Sequence, residues 1–403
     1  MAHKIALDLN DHQRTYMLRA TGVARFAYNW ALEQWGIQYR AWREDDTLPK
    51  PSQFSLRKQL NEIKKESFPW MLEVTKCAPQ LAIIQLGEAF KNFFAHRAAY
   101  PKFRKKGVHD RFSISNDQFA VQGKRIRIPK LGWVRMREAL RFSGKLVSIT
   151  VSRMADRWFV SITVDTEDRR QQHNENQEAV GVDLGVSALA TLSTGEVVQG
   201  PKAYSKLVKR LVRLSRSLSR KARGSNNREK ARRKLARLHA RIANIRQEGL
   251  HQLTTSLARR FSIIGIEDLN VRGMLRNRRL SRSIADGAFY EFRRQLEYKS
   301  GIYGGTVVVA DRWFASSKTC SDCGHRLEAL PLSMRHWVCP ECGTYHDRDV
   351  NAAINLRNNA VSSTRCKPVE RKALAFFSEK VKPASMKQEV SIESICLVMN
   401  RFK

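Results

Sequence analysis

Two spacings divide the chain before any residue suggests chemistry. From His12 to about Arg43, Leu18, Phe26, Trp30, Trp35, Tyr39 and Trp42 punctuate helix-favouring sequence, and a second helix is predicted from Gln80 to Arg97. Between them "DDTLPKPSQFS" reads as a loop. Residues 112 to 165 change rhythm: "RIRIPKLGWV", "KLVSITVSR" and "RWFVSITVD" alternate with period two, Trp158, Val160, Ile162 and Val164 sharing one face. An antiparallel barrel or sheet is expected there, followed by a polar linker over 165 to 178. A new domain opens with "AVGVDLGVSALATLSTGEVV", a short apolar strand that delivers Asp183 and a hairpin that returns through Thr194-Gly195. "FSIIGIEDLNV" is a second such strand ending at Glu267, and "VNAAINLRN" reads as a helix.

Between Lys202 and Arg246 the same periodicity carries charge. Leu207, Leu211, Leu214 and Leu218, then Leu235, Leu238, Ile242 and Ile245, recur at spacings of three and four on either side of "RGSNN", which predicts a helical hairpin. Seventeen Lys and Arg face one acidic residue, Glu229, in that stretch, so ion pairing within the helices is minimal. Lys206, Lys209, Arg210, Arg213, Arg216, Arg232, Arg233, Arg237 and Arg241 are the candidates for contacts to a nucleic-acid backbone.

Composition enlarges that expectation to the whole chain. Its 403 residues hold 73 Lys and Arg against 38 acids, a formal charge of +35, which self-repels unless a polyanion neutralises it. With 42% hydrophobic residues, eight Trp and eighteen Phe, a folded protein of two or three domains needs no disulfides. No apolar run approaches the ~18 residues of a membrane helix, and "MAHKIALDLNDHQ" has no secretory core, so a cytosolic protein is expected.

Cys320, Cys323, Cys339 and Cys342 form two CxxC pairs separated by fifteen residues, the spacing of a zinc ribbon. In a cytosolic chain four thiolates around one structural Zn²⁺ are the better reading than disulfides. His325, His336 and His346 are spare ligands, while Cys77, Cys366 and Cys396 have no partner at metal spacing. The ribbon runs into Asp347 and Asp349. With Asp183 and Glu267, these acids stand at the ends of apolar elements and are expected to converge on one sheet edge. Converging carboxylates raise one another's pKa unless cations sit among them, and two Mg²⁺ ions ~4 Å apart suit such oxygen ligands and phosphodiester cleavage.

"RFAYNWAL", "YPKFRKK", "IPKLGWV", "GVDLG", "GIEDLN", the CxxC pairs and "HDRDVNAA" occur in the order seen in TnpB proteins, and from about Phe26 to Arg357 the chain resembles that transposon-encoded family of RNA-guided DNA nucleases, related to type V CRISPR effectors. The resemblance implies an α+β multidomain protein. A wedge-like antiparallel β-barrel (1–20 and 98–170) would carry a helical recognition insertion (21–97), followed by an RNase H-like RuvC α/β domain (178–357, hairpin about 202–260). A four-cysteine zinc ribbon (316–346) would be inserted in that domain, and the tail from 358 to 403 carries no nuclease motif, leaving disorder and RNA contact as its two readings. The family's three metal-binding acids carry over to Asp183, Glu267 and Asp349, the last standing two residues before Asn351. Lys76, Gln80 and Asn116 fall in stretches similar to those that read a short DNA motif flanking the target.

The same resemblance implies a Mg-dependent endonuclease with two catalytic Mg²⁺ ions, one structural Zn²⁺ and a transposon-derived guide RNA. It would act on double-stranded target DNA in the bacterial cytosol, at the nucleoid and away from membranes, with a monomer expected. Two competing classes are a nuclease-silent RNA-guided DNA-binding protein and a transposase acting on transposon ends without RNA.

Overall fold

The computed structural model describes residues 1–166, 178–331 and 333–365; the linker over 167–177 and the tail beyond Arg365, with Cys366 and Cys396, lie outside them. In β1 (Ala2–Asp8) His3, Ile5 and Leu7 are buried in alternation. Asn10 then accepts the Gln13 N–H at 2.8 Å while its own N–H donates to the Gln13 side chain at 3.2 Å. That capping box turns "LDLNDHQ" from strand into helix. Here α1 (Asp11–Glu44) begins, followed by α2 (Gln53–Ser67), a 3₁₀ turn at Pro69–Glu73 and α3 (Cys77–Phe94).

The loop read as "DDTLPKPSQFS" ends early, because Ser52 caps α2 by accepting the Ser55 N–H at 3.1 Å. The helix expected from Gln80 runs instead from Cys77 to Phe94, and α1 continues unbroken past position 20. Trp35 of α1 stacks on Phe90 of α3 with centroids 4.2 Å apart.

Six further strands, β2 (Arg111–Ser115), β3 (Ala120–Gln122), β4 (Arg125–Ile128), β5 (Gly132–Met136), β6 (Lys145–Met154) and β7 (Arg157–Asp165), complete a seven-stranded antiparallel sheet in the order β2-β6-β7-β1-β5-β4-β3. Trp158, Val160, Ile162 and Val164 all face its core. The strand β1 changes partner midway, Ala2–Ala6 pairing with β7 and Leu7–Asp8 with β5, which bends the sheet. It does not close into the expected barrel: β2 and β3 are its edges. Alternation fixes which side chains point inward but not whether the outer strands meet. Next to β2 the neighbouring element is α3, whose Gln85 amide donates to Ser113 Oγ at 3.2 Å.

The second sheet sets β8 (Ala179–Asp183), β9 (Ala190–Leu192) and β10 (Val197–Val198) beside β11 (Ile263–Ile266) and β12 (Thr306–Val309), in the order β10-β9-β8-β11-β12. The strands β8, β11 and β12 run parallel, and β9 and β10 antiparallel. Between β10 and β11 stands the hairpin of α4 (Ala203–Ser219) and α5 (Asn226–Arg260); α6 (Val271–Met274), α7 (Ser281–Gly287) and α8 (Phe289–Ile302) lead into β12. Val180, Val182, Ile264 and Ile266 form a core with Leu253 and Leu257 of α5 and Phe292 and Leu296 of α8. The hairpin's upper part has its own seam, Leu207, Leu211, Leu214, Leu235, Leu238, Ile242 and Ile245. A two-stranded ribbon, β13 (His336–Val338) with β14 (Tyr345–Asp347), then feeds α9 (Arg348–Arg365).

Candidate active site and metal centre

Parallel pairing fixes two of the acids. Val182 lies opposite Ile266, so the next residues, Asp183 and Glu267, emerge side by side from the carboxyl ends of β8 and β11, the edge where open α/β sheets hold ligands. Asp349 comes from the first turn of α9. Burial above all, and then the negative charges of Glu267 and Asp349, push the Asp183 carboxyl from its ordinary 3.8 up to about 8, with Arg348 and Arg335 acting in the opposite direction. The three acids therefore share one electrostatic field. Asp347 does other work, its carboxylate accepting the Asp349 N–H at 3.0 Å and the Val350 N–H at 2.9 Å and so capping α9.

A pair of glycines lets α9 reach that edge. Gly181 and Gly265 are cross-strand partners two residues before the acids. A Cβ at Gly181 would stand 1.8 Å from the Ala353 carbonyl oxygen, and one at Gly265 2.3 Å from that of Leu356. The helix thus lies directly on the backbone of both strands. The repeated tripeptide, Gly181-Val182-Asp183 and Gly265-Ile266-Glu267, is the signal that sequence reading passed over.

Side chains lock this arrangement. Ser316, on the loop after β12, donates its hydroxyl to Glu267 at 2.5 Å. Its carbonyl accepts from Asn355 at 2.8 Å, and the Thr319 carbonyl accepts from both Asn351 (2.8 Å) and Asn355 (2.7 Å). Asn351 also accepts the Ser321 N–H at 2.9 Å. These asparagines stand one turn apart, in "VNAAIN", and both are buried. From the ribbon, the Arg335 guanidinium reaches both Asp349 oxygens at 3.2 and 3.3 Å and Ser187 Oγ at 3.3 Å. Asn351 marks the third acid in the sequence, but no motif points to Ser316, Asn355 or Arg335, whose partners are distant in the chain.

Sγ atoms of Cys320, Cys323, Cys339 and Cys342 all lie within 4.8 Å of one another, and none is in a disulfide. The two halves of the cluster are built alike. The Cys320 N–H donates to the His325 carbonyl and the Cys339 N–H to that of Thr344, at 2.8 and 2.9 Å; Gly324 and Gly343, at φ 81° and 70°, turn each knuckle back. Of the spare histidines, His346 is buried with Nε2 3.0 Å from Cys320 Sγ, whereas His336 stacks on Tyr345 with centroids 5.6 Å apart. His325 contributes its backbone carbonyl to the first knuckle.

All nine hairpin cations named above are exposed. Two have partners: Arg232 pairs with Glu229 at 2.8 Å, and the Arg237 Nε donates to both Asp156 oxygens at 3.0 and 2.9 Å. The latter contact spans a cleft of about 720 Å³ between the β6–β7 turn and the hairpin, lined also by Arg210, Arg213, Lys234 and Arg241. In the other half, Lys76 and Asn116 are exposed and Gln80 half-buried, where the start of α3 meets the turn after β2. Cys77 Sγ lies 3.6 Å from Ser115 Oγ there, and the Lys76 charge helps to hold the Asp117 carboxyl below its usual range, after hydrogen bonds from Gln118 and Ser115.

Comparison with known proteins places this geometry. Residues 160–278 match the probable transposase model of the IS605 OrfB family, residues 289–356 the Cas12f1-like TNB domain, and residues 1–44 a helix-turn-helix domain of the same OrfB family. A Streptomyces pristinaespiralis protein named for RNA-guided DNA endonuclease activity is 40% identical over 362 residues, covering 88% of each chain. InsQ of Escherichia coli K12, named likewise, is 36% identical over 88% of this chain and 91% of its own. The Cas12f1 chain of a complex with sgRNA and target DNA shares the fold at a TM-score of 0.55 and 14% identity, covering 86% of this chain and 83% of that one. The chain belongs to the TnpB family, whose members are related to type V CRISPR effectors.

Proposed function

We propose that this protein is a transposon-encoded, RNA-guided endonuclease that cuts double-stranded DNA beside a short flanking motif, using a single RuvC-like site. The observation that carries the reading is the shared field of Asp183, Glu267 and Asp349 at the carboxyl edge of β8 and β11. The sheet order, three antiparallel strands continued by two parallel ones, supports an RNase H-like domain. An open wedge-like sheet carrying the helical insertion would precede it. The names of the two relatives support a guide RNA and a DNA target as partners.

The donor set fits magnesium. Three carboxylates, one held protonated by burial and by the other two, are all-oxygen donors whose repulsion a divalent cation drawn among them would relieve. When bound there, two Mg²⁺ ions would supply Lewis acidity that activates water and stabilises the leaving oxygen of the phosphodiester. The chain's own residues prepare the site. Asp183 would hold a cation once it has lost its proton, while Ser316 fixes the Glu267 carboxylate and Arg335 orients Asp349. Cys320, Cys323, Cys339 and Cys342 would close a tetrahedral shell around one structural Zn²⁺, leaving no open position for chemistry.

The hairpin cations would hold backbone phosphates of the guide–target heteroduplex, while base pairing reads sequence. Lys76, Gln80 and Asn116 would read the flanking motif from their shared corner.

Sequencing RNA that co-purifies with the protein, then offering plasmids that match its guide segment in Mg²⁺, tests the reading. Guide-dependent linearisation that Asp183→Asn abolishes is expected. Binding to matched DNA without cutting would leave a silent binder, and RNase-insensitive recognition of transposon ends would leave a transposase.

A further inference from the structure

Among the large apolar side chains outside the core, Trp313 is 85% exposed, far beyond the usual for tryptophan. Its indole makes no ring contact among the described residues. Yet the segment that carries it is tightly fixed. The Asp311 carboxylate accepts the Trp313 N–H at 2.8 Å, the Asp311 carbonyl accepts the Phe314 N–H at 3.0 Å, and the Phe314 carbonyl accepts the Ser316 N–H at 2.9 Å. On one side, Arg312 is clamped to Asp268 at 2.6 Å, and Arg293 holds the other oxygen of Asp268 at 2.8 Å. On the other side, Ser316 holds Glu267.

Both anchors are thus consecutive residues at the end of β11, Glu267 and Asp268. The loop follows β12, which runs parallel to β11, so it leaves the sheet at the edge where the three acids meet. A wholly exposed indole on a flexible tail would need no explanation. On a loop pinned to the site from both sides, it is a rigid aromatic face presented to whatever enters.

We infer that Trp313 is a stacking platform for an unpaired base of the DNA strand entering the acidic site. This rests on the nuclease reading above and names a residue that would bind the substrate there. A nucleobase is the chemistry that fits: it offers a flat π-face and has already lost its neighbour wherever a strand is single. Duplex DNA has no free base face to offer. Arg312, next to Trp313, is engaged with Asp268, so this segment offers an aromatic face and not a free cation.

The test uses the full chain carrying Asp183→Asn to prevent cleavage, with single-stranded oligothymidine and a blunt duplex as probes. Trp313→Ala weakens single-strand binding by about 5- to 100-fold, the range for loss of one stacked base, and leaves duplex binding and the melting temperature unchanged. Trp313→Phe recovers most of the loss. Because stacking is not ionic, the deficit keeps the same factor as salt rises, whereas loss of a phosphate contact would flatten the salt dependence. A 5-iodouracil probe, irradiated and mapped by mass spectrometry, cross-links at Trp313.

Equal affinity of Trp313→Ala and its parent for the single strand, or a cross-link that maps elsewhere, overturns the inference. Failure of the nuclease reading looks different: the unsubstituted protein, loaded with its guide and Mg²⁺, would cut nothing.

Discussion

Seventeen lysines and arginines stand against one glutamate on the hairpin segment, while at the sheet edge Asp183 lies in the field of two further carboxylates, Glu267 and Asp349. The hairpin cations are exposed, so salt and water screen their repulsion within ~10 Å. At the sheet edge burial above all, and then the unscreened charges of Glu267 and Asp349, make Asp183 keep its proton to about pH 8. The number of charges matters less than their solvent. A surface can be strongly cationic at modest cost, whereas neighbouring acids with one of them buried form a locally unfavourable arrangement that a proton or a cation relieves.

The sharpest way to break this contrast is Asp183→Asn. Cleavage should fall on the order of a thousandfold, since the activation lost is worth several kcal/mol. The metal-free protein should nonetheless melt at a higher temperature at neutral pH, because a neutral amide removes the cost of protonating the carboxyl on folding. A lower melting temperature would mean that Asp183 is held by contacts other than this field.

Next in size is Gly181→Ala. Its methyl would collide with the Ala353 carbonyl, so α9 must shift, at about 1–3 kcal/mol of stability. Cleavage should drop while zinc content, measured by emission spectrometry, stays at one ion per chain. Wild-type cleavage in this variant would show that the close approach of α9 is not needed to place Asp349.

A smaller effect sharpens the electrostatic half. The folded pKa of Asp183 is raised from 3.8 to about 8, so the folded state holds a proton that the unfolded chain releases across that interval. Its contribution to stability is full below about pH 4, falls as pH rises, and is lost above about 8. In Mg²⁺ titrations the apparent affinity should rise by about tenfold per pH unit up to pH 8, as the ion competes with one proton. A flat profile between pH 6 and 8 would contradict it. The smallest effect belongs to the hairpin: Arg213→Gln should lower the slope of log affinity against log salt by ~0.9 on duplex DNA, with no change in melting temperature.

Much of this was legible in the sequence because it is local. Period two marks β4 to β7, helix-favouring sequence punctuated by aromatics marks α1, the three-and-four spacing marks the hairpin seam, and the CxxC spacing marks the thiol cluster. The capping Ser52 lies in a stretch rich in Pro and Ser, so the first three residues of α2, 53–55, read as loop. Closure of the first sheet was misjudged because pairing between outer strands leaves no mark on either strand. The partner of Arg237, Asp156, lies 81 residues away, and no spacing rule connects them. At the candidate site, the three acids stood out as charges at the ends of apolar runs. The glycines, asparagines and Ser316 that set their positions carry no charge, and their roles appear only once β8, β11 and α9 are in contact.

Asn351 and Asn355 grip the same carbonyl, that of Thr319, one residue before Cys320, the first thiol of the cluster, and Asn351 also takes the Ser321 amide just after it. The thiol cluster and α9 are therefore geared together. Loosening the ribbon would free the first turns of α9, where Asp349 stands.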